Sequence, residues 1–190
     1  MFHPSRLVGG CLLTTLVGLS AAPVAARPSA SVALTSERMA QLRQVNNYVN
    51  STIVEVSDLE QYGRADVWAL PNNGKGDCED FALLKRKLLL EQGWPTTALS
   101  IAVGATAQGV AHAVLVARTD KGDYVLDNLT SSIRLSHQTG HVFWSYQSGN
   151  GWVSASGERT KEPTVDLPVA QVDPGAQIAL RSRISKPQFR

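Results

Sequence analysis

Gly76-Asp77-Cys78-Glu79-Asp80-Phe81-Ala82 runs directly into Leu83-Leu84-Lys85-Arg86-Lys87-Leu88-Leu89-Leu90-Glu91-Gln92, and how this stretch folds decides the rest. Phe81, Leu84 and Leu88, with Ala82 and Leu89 beside them, recur at spacings of three and four. A helix is therefore expected over Cys78 to Gln92, with Lys85, Arg86 and Lys87 on and beside its polar face. Gly93 and then Trp94-Pro95 stop it. A thiol at such a helix start sits in the partial positive charge of unpaired N–H groups, which favours its ionised form.

Outward from the helix the period changes from helical to alternating. Thr97 to Val103 places Leu99, Ile101 and Val103 on one face, with Gly104 ending the strand. Ala111 to Arg118 and Asp123 to Asp127 read as two more strands, joined by Thr119-Asp120-Lys121-Gly122. Side chains alternate along a strand, so His112 and Asp127 share a face only if paired positions sum to an odd number. Arg118 opposite Asp123 gives that parity. Val114 then stands opposite Asp127, and His112 is one diagonal step away, about 7–8 Å between backbone positions.

On the N-terminal side, Ser36 can cap a helix from Glu37 to about Asn50, because Met39, Leu42, Val45 and Val49 line one face. Residues 51 to 76 are turn chemistry, with Tyr62-Gly63, Leu70-Pro71 and Asn72-Asn73-Gly74-Lys75-Gly76, and read as a mostly irregular loop delivering the chain to Cys78. Beyond Arg134, Trp144, Tyr146 and Trp152 are expected to anchor one or two further strands. From Ser156 onward Pro, Gln, Ser, Lys and Arg dominate without periodicity, and residues 157–190 read as a poorly ordered polar tail.

The ends set the redox context. Arg6, the apolar run Leu7 to Leu19 and the small residues ending Val24-Ala25-Ala26 have the pattern of a secretory signal peptide over residues 1–26. A domain over 27–156 follows. Val8-Gly9-Gly10-Cys11 is a poor lipidation site, since Cys11 precedes most of the apolar run. The sequence has two cysteines, so removing the leader leaves Cys78 alone and forbids an intramolecular disulfide. No other run approaches the roughly 20 apolar residues of a spanning helix. A protein that does not span the membrane once its leader is removed, periplasmic or secreted, is expected. Hydrophobic residues make up 43% of the 190, enough for a real core, and the formal charge is only +2. No basic cluster interleaves with aromatics, which argues against nucleic acid as a partner.

An ordinary thiol, with a pKa of about 8.5, is mostly protonated at neutral pH and needs activation. An imidazole supplies a base or an ion-pair partner, and a carboxylate on its far nitrogen fixes the tautomer. Cys78, His112 and Asp127 are the candidates. Each also has a plain structural reading: a buried small residue, a satisfied core histidine beside Val114 and Val116, and the end of a hairpin. Asp77, Glu79 and Asp80 complicate the catalytic one, because like charges oppose ionisation of the thiol. A hard cation such as calcium would remove the conflict; alternatively, the acids simply favour a helix N-terminus. His137 and His141 have a metal-like i, i+4 spacing, but Gln138-Thr139-Gly140 between them reads as a loop and not a zinc helix.

Gly76-Asp77-Cys78-Glu79-Asp80-Phe81-Ala82, Ala111-His112-Ala113-Val114-Leu115, Val125-Leu126-Asp127-Asn128-Leu129 and Gly149-Asn150-Gly151-Trp152-Val153-Ser154 together resemble the bacterial transglutaminase-like cysteine peptidases, including the periplasmic LapG-type adhesin proteases. The similarity runs from about Gln44 to Ser156. It implies an α+β papain/transglutaminase-like core, with the nucleophile helix packed on an antiparallel β-sheet. It implies Cys78 as nucleophile, His112 as base and then acid, and Asp127 as orienting group, acting through a thioester. It further implies calcium held by Asp77 and Glu79, a large surface adhesin as protein substrate, and an inner-membrane cyclic di-GMP receptor as inhibitor. Two other readings stay open: an acyl transferase, in which an amine takes the thioester in place of water, and a non-catalytic peptide-binding module.

Overall fold

The computed structural model describes residues 31–161. The leader expected over residues 1–26 and the tail from 162 onward lie outside the described residues. Helix α1, Ser36–Thr52, is capped by Thr35, whose side chain accepts from the Arg38 amide, one residue before the cap expected. Leu42, Val45 and Val49 on its inner stripe are buried. The expected irregular loop contains short elements: β1 (Val54–Glu55), α2 (Asp58–Tyr62) and β2 (Lys75–Gly76), with β1 and β2 in a parallel pair. Helix α3 then runs Cys78–Glu91.

The remaining strands form one antiparallel sheet. They are β3 (Leu99–Ala105), β4 (Ala111–Thr119), β5 (Gly122–Leu126), β6 (Arg134–Leu135), β7 (Val142–Ser148), β8 (Gly151–Ser154) and β9 (Arg159–Thr160), in the spatial order β6-β5-β4-β3-β7-β8-β9. This mixed helix and antiparallel sheet architecture is the α+β core expected. The sheet reaches farther than expected: from Arg134 onward four strands form where one or two were expected, and β9 lies where the polar tail was placed. Arg159 gains order by pairing with Val153, so backbone hydrogen bonding outweighs the local composition.

Alternation along the strands sorts the core into two faces. Ile101, Val103, Ala113, Leu115, Ala117 and Leu126 pack against Leu42, Val45 and Val49 of α1 and Phe81, Ala82 and Leu89 of α3. Ala102, Val114, Val116 and Val125 form the other face, on which Phe143 and Tyr146 pack. Both faces are therefore buried in the central strands, which explains the near-continuous apolar run of β4. The β4–β5 register has Arg118 opposite Asp123 and Leu115 opposite Leu126, as parity required, so Asp127 follows on the face of Val114.

Two expectations are corrected by packing. Gly104 does not end β3; it lies inside the strand, where a Cβ would stand 2.1 Å from the Val142 carbonyl oxygen. Glycine permits β7 to approach at the register shift between Val103 and Gly104. Lys85 does not lie on a polar face of α3 but is fully buried, 0% exposed. It occupies the row Phe81, Lys85, Leu89, four residues apart and hence on one face, with its Nζ 5.8 Å from the Phe81 ring centre.

Candidate active site

Cys78 opens α3, and the N-cap Asp77 makes no capping hydrogen bond through its side chain. The thiol is half-buried against the backbone amide of Ala113, the residue after His112 on β4. Its hydrogen bond runs to Glu79 Oε2 at 3.2 Å; among the described residues, none joins it to His112. Burial, and then the negative charge of Glu79, push the Cys78 thiol well above its ordinary range, against the Ala113 amide, which favours the thiolate.

His112 and Asp127 meet where the register put them. Nε2 of His112 is 2.9 Å from Asp127 Oδ1, and both side chains are nearly inaccessible. Oδ1 also accepts from the Leu129 amide at 2.9 Å. A third residue joins them: His141 places its Nε2 2.9 Å from Asp127 Oδ2. Burial alone would raise the Asp127 carboxyl. Hydrogen bonding and charge from His112, then the His141 bond and the Leu129 amide, outweigh burial and hold it far below the usual carboxylate range. The carboxylate is thus an ionised acceptor, and the Nε2 atoms facing it carry protons. That leaves Nδ1 as the nitrogen of His112 not used by Asp127.

Beside the thiol is a pocket of acids assembled from three segments. Asp58 Oδ2 accepts from the Val67 amide, Asp77 Oδ2 from the Asp58 amide at 3.2 Å, and Asp80 Oδ1 from the Ala69 amide at 2.9 Å. The second oxygen of each, Asp58 Oδ1, Asp77 Oδ1 and Asp80 Oδ2, is buried with no hydrogen-bond partner among the described residues. Asp58, Asp77 and Asp80 bring ligand atoms within 4.8 Å of one another, as do Asp58, Asp66 and Glu79. Burial, and then the neighbouring Asp77 carboxylate, push Glu79 up to about 9; burial foremost pushes Asp80 up to about 7. Gly76 is the floor of this pocket, since a Cβ there would lie 2.6 Å from Asp80 Oδ2.

The sequence reading named Asp77 and Glu79 but missed Asp58, nineteen positions before Asp77, which no local spacing connects to it. It set His141 aside as a loop residue. The ring's proximity to Asp127 arises because β7 pairs with β3, which pairs with β4: Gly104 faces both His112 and Phe143.

A cysteine opening a helix that packs on an antiparallel sheet, with an imidazole and a carboxylate joined on that sheet, defines a transglutaminase-like thiol hydrolase. The family described as bacterial transglutaminase-like cysteine proteinase matches residues 21–160. The chain belongs to that family and is a cysteine peptidase. The calcium-bound structure of Legionella pneumophila LapG is similar at 26% identity and a TM-score of 0.55, over 77% of this chain and 80% of that one. An EGTA-treated LapG structure is similar at 26% identity and a TM-score of 0.55, over 77% and 78% of the two chains. No curated protein matches the chain. No helix among the described residues is long and apolar enough to cross a membrane.

Proposed function

We propose that the protein is an exported endopeptidase in which Cys78 attacks a peptide carbonyl, His112 moves the proton and Asp127 orients the imidazole. The observation that carries this is the buried His112–Asp127 contact one residue from the amide against which the thiol packs. Asp127 holds Nε2 of His112, so Nδ1 is the atom available to take the thiol proton and return it to the leaving amine. The acyl group passes to Sγ as a thioester, and water then releases the acid. Backbone N–H groups at the start of α3, not capped by Asp77, are the natural donors to the oxyanion.

The acid pocket fits calcium. Three buried carboxylate oxygens with no hydrogen-bond partner, from Asp58, Asp77 and Asp80, match a hard cation that takes oxygen ligands, and Glu79 adjoins them. Asp58, Asp77, Asp80 and Glu79 would hold such a cation, whose positive charge would offset the clustered carboxylates and weaken the effect of Glu79 on the thiol. The LapG structures described as calcium-bound and EGTA-treated support this reading. The family resemblance supports a large surface adhesin as substrate, in the periplasm or outside the cell.

Cleavage of a co-expressed adhesin fragment tests the assignment. Cys78→Ala should abolish it, and persistence of cleavage would overturn the role of Cys78. Amine incorporation exceeding hydrolysis would instead make the protein an acyl transferase.

A further inference from the structure

We propose that His141 is a positioning residue of this site: through Asp127 Oδ2 it fixes the plane of the carboxylate that orients His112. The inference rests on Cys78, His112 and Asp127 being the catalytic set.

The two oxygens of Asp127 are held unequally. Oδ1 accepts from both His112 Nε2 and the Leu129 amide, whereas among the described residues Oδ2 accepts from His141 Nε2 alone. The Asp127 side chain is 3% exposed and that of His141 7%, so no bulk water replaces that bond when it is lost. Turning the carboxylate about its Cβ–Cγ bond moves both oxygens, so a hydrogen bond at Oδ2 narrows the range of turn that the bonds at Oδ1 alone permit. His141 supplies that bond. Its own Nδ1 is buried with no hydrogen-bond partner among the described residues, so the ring's polar contact is spent on Asp127.

The ring is itself held in place. Thr139 Oγ1 accepts from the His141 amide, and Gly140 takes the left-handed conformation at φ 77° that turns the chain into β7. The imidazole then stands edge-on between His112, with centroids 5.6 Å apart, and Phe143, at 5.9 Å. Lys85 of α3 also interacts with the charge of Asp127, and its Nζ has no hydrogen-bond partner among the described residues. It adds charge without direction, so orientation falls to the two imidazoles.

The test uses the full chain with calcium present and iodoacetamide as probe, followed by the rate of Cys78 alkylation and by the downfield imidazole N–H proton signals. His141→Phe keeps ring volume and removes the donor; alkylation should slow about tenfold to a hundredfold, the kinetic equivalent of one lost hydrogen bond to a charged group. His141→Gln restores a donor at the Nε2 position and should recover most of the rate. Wild type should show two downfield N–H signals; His141→Phe should remove one and shift that of His112, and His141→Gln should remove one and return that of His112 towards its wild-type position, which a merely space-filling role for His141 would not produce. If His112→Ala slows alkylation while His141→Phe leaves both rate and the His112 signal unchanged, His141 has no positioning role and the triad stands. If His112→Ala itself changes nothing, the catalytic assignment fails. Should His141→Phe not fold, His141→Leu, which also lacks the donor, takes its place, and an unshifted His112 signal and unchanged alkylation rate there overturn the proposal.

Discussion

Asp80→Asn should stabilise the cation-free protein at pH 8 while abolishing its response to calcium. Asp80 is 0% exposed, and burial raises its carboxyl from 3.8 to about 7. The folded state therefore binds this proton more tightly than the unfolded chain. Its contribution is fully present below about pH 4 and is lost as pH rises through about 7, a cost of about 4 kcal/mol. Glu79, raised to about 9, extends the same loss to higher pH. Asparagine keeps the Oδ1 acceptor for the Ala69 amide and removes the charge. In the wild type, calcium at about a thousand times its Kd would restore about 4 kcal/mol, or roughly 10 °C in Tm for a chain of this size. Thermal unfolding at pH 5 and pH 8, in EGTA and in calcium, measures all of this. The wild-type calcium shift should be large at pH 8 and small at pH 5, where protons hold the site. Equal shifts at both pH values, or an Asp80→Asn protein less stable than wild type in EGTA at pH 8, would refute the reasoning.

Two further substitutions probe the surroundings of the site. Gly76→Ala places a Cβ against Asp80 and should cost about 1–3 kcal/mol by overpacking while weakening the calcium-induced rise in Tm; an unaltered rise would show that the pocket tolerates the methyl group. Lys85→Met removes a buried ammonium whose pKa burial lowers from 10.5 to about 7, so the wild type bears that cost fully below pH 7 and sheds it towards pH 10.5. Urea unfolding at pH 6 should show the variant more stable by about 1–4 kcal/mol, the gain fading by pH 10, and a destabilised variant would mean that Nζ anchors Asp127.

What the sequence disclosed follows from how far each signal extends along the chain. The pairing of β4 with β5 was legible because a short connection and strict alternation fix register together, and Arg118 does face Asp123. The α3 stripe was legible in Phe81, Ala82 and Leu89 but not in Lys85, whose charge disguises an inward position that spacing alone would have revealed. Gly104 resembled a strand end because its cause, the Val142 carbonyl on β7, lies some forty positions away. The acid pocket was half visible: Asp77 and Glu79 flank the cysteine, while Asp58 arrives from another segment through hydrogen bonds to backbone amides. His141 was hidden for a similar reason, since its partner Asp127 is fourteen residues distant and only sheet order brings them together. Short strands such as β9 carry too few residues to show alternation.

The central claim is that His112 makes the Cys78 sulfur nucleophilic once a cation offsets the charge of Glu79. The most direct measurement is the rate at which iodoacetamide alkylates Cys78 across pH 5 to 9, located by mass spectrometry, in wild type and His112→Ala, each with calcium and with EGTA. Wild type in calcium should react quickly near neutral pH, and both EGTA and His112→Ala should move the reaction to alkaline pH, where an unassisted thiol ionises. Superimposable profiles for the two proteins in calcium would contradict it.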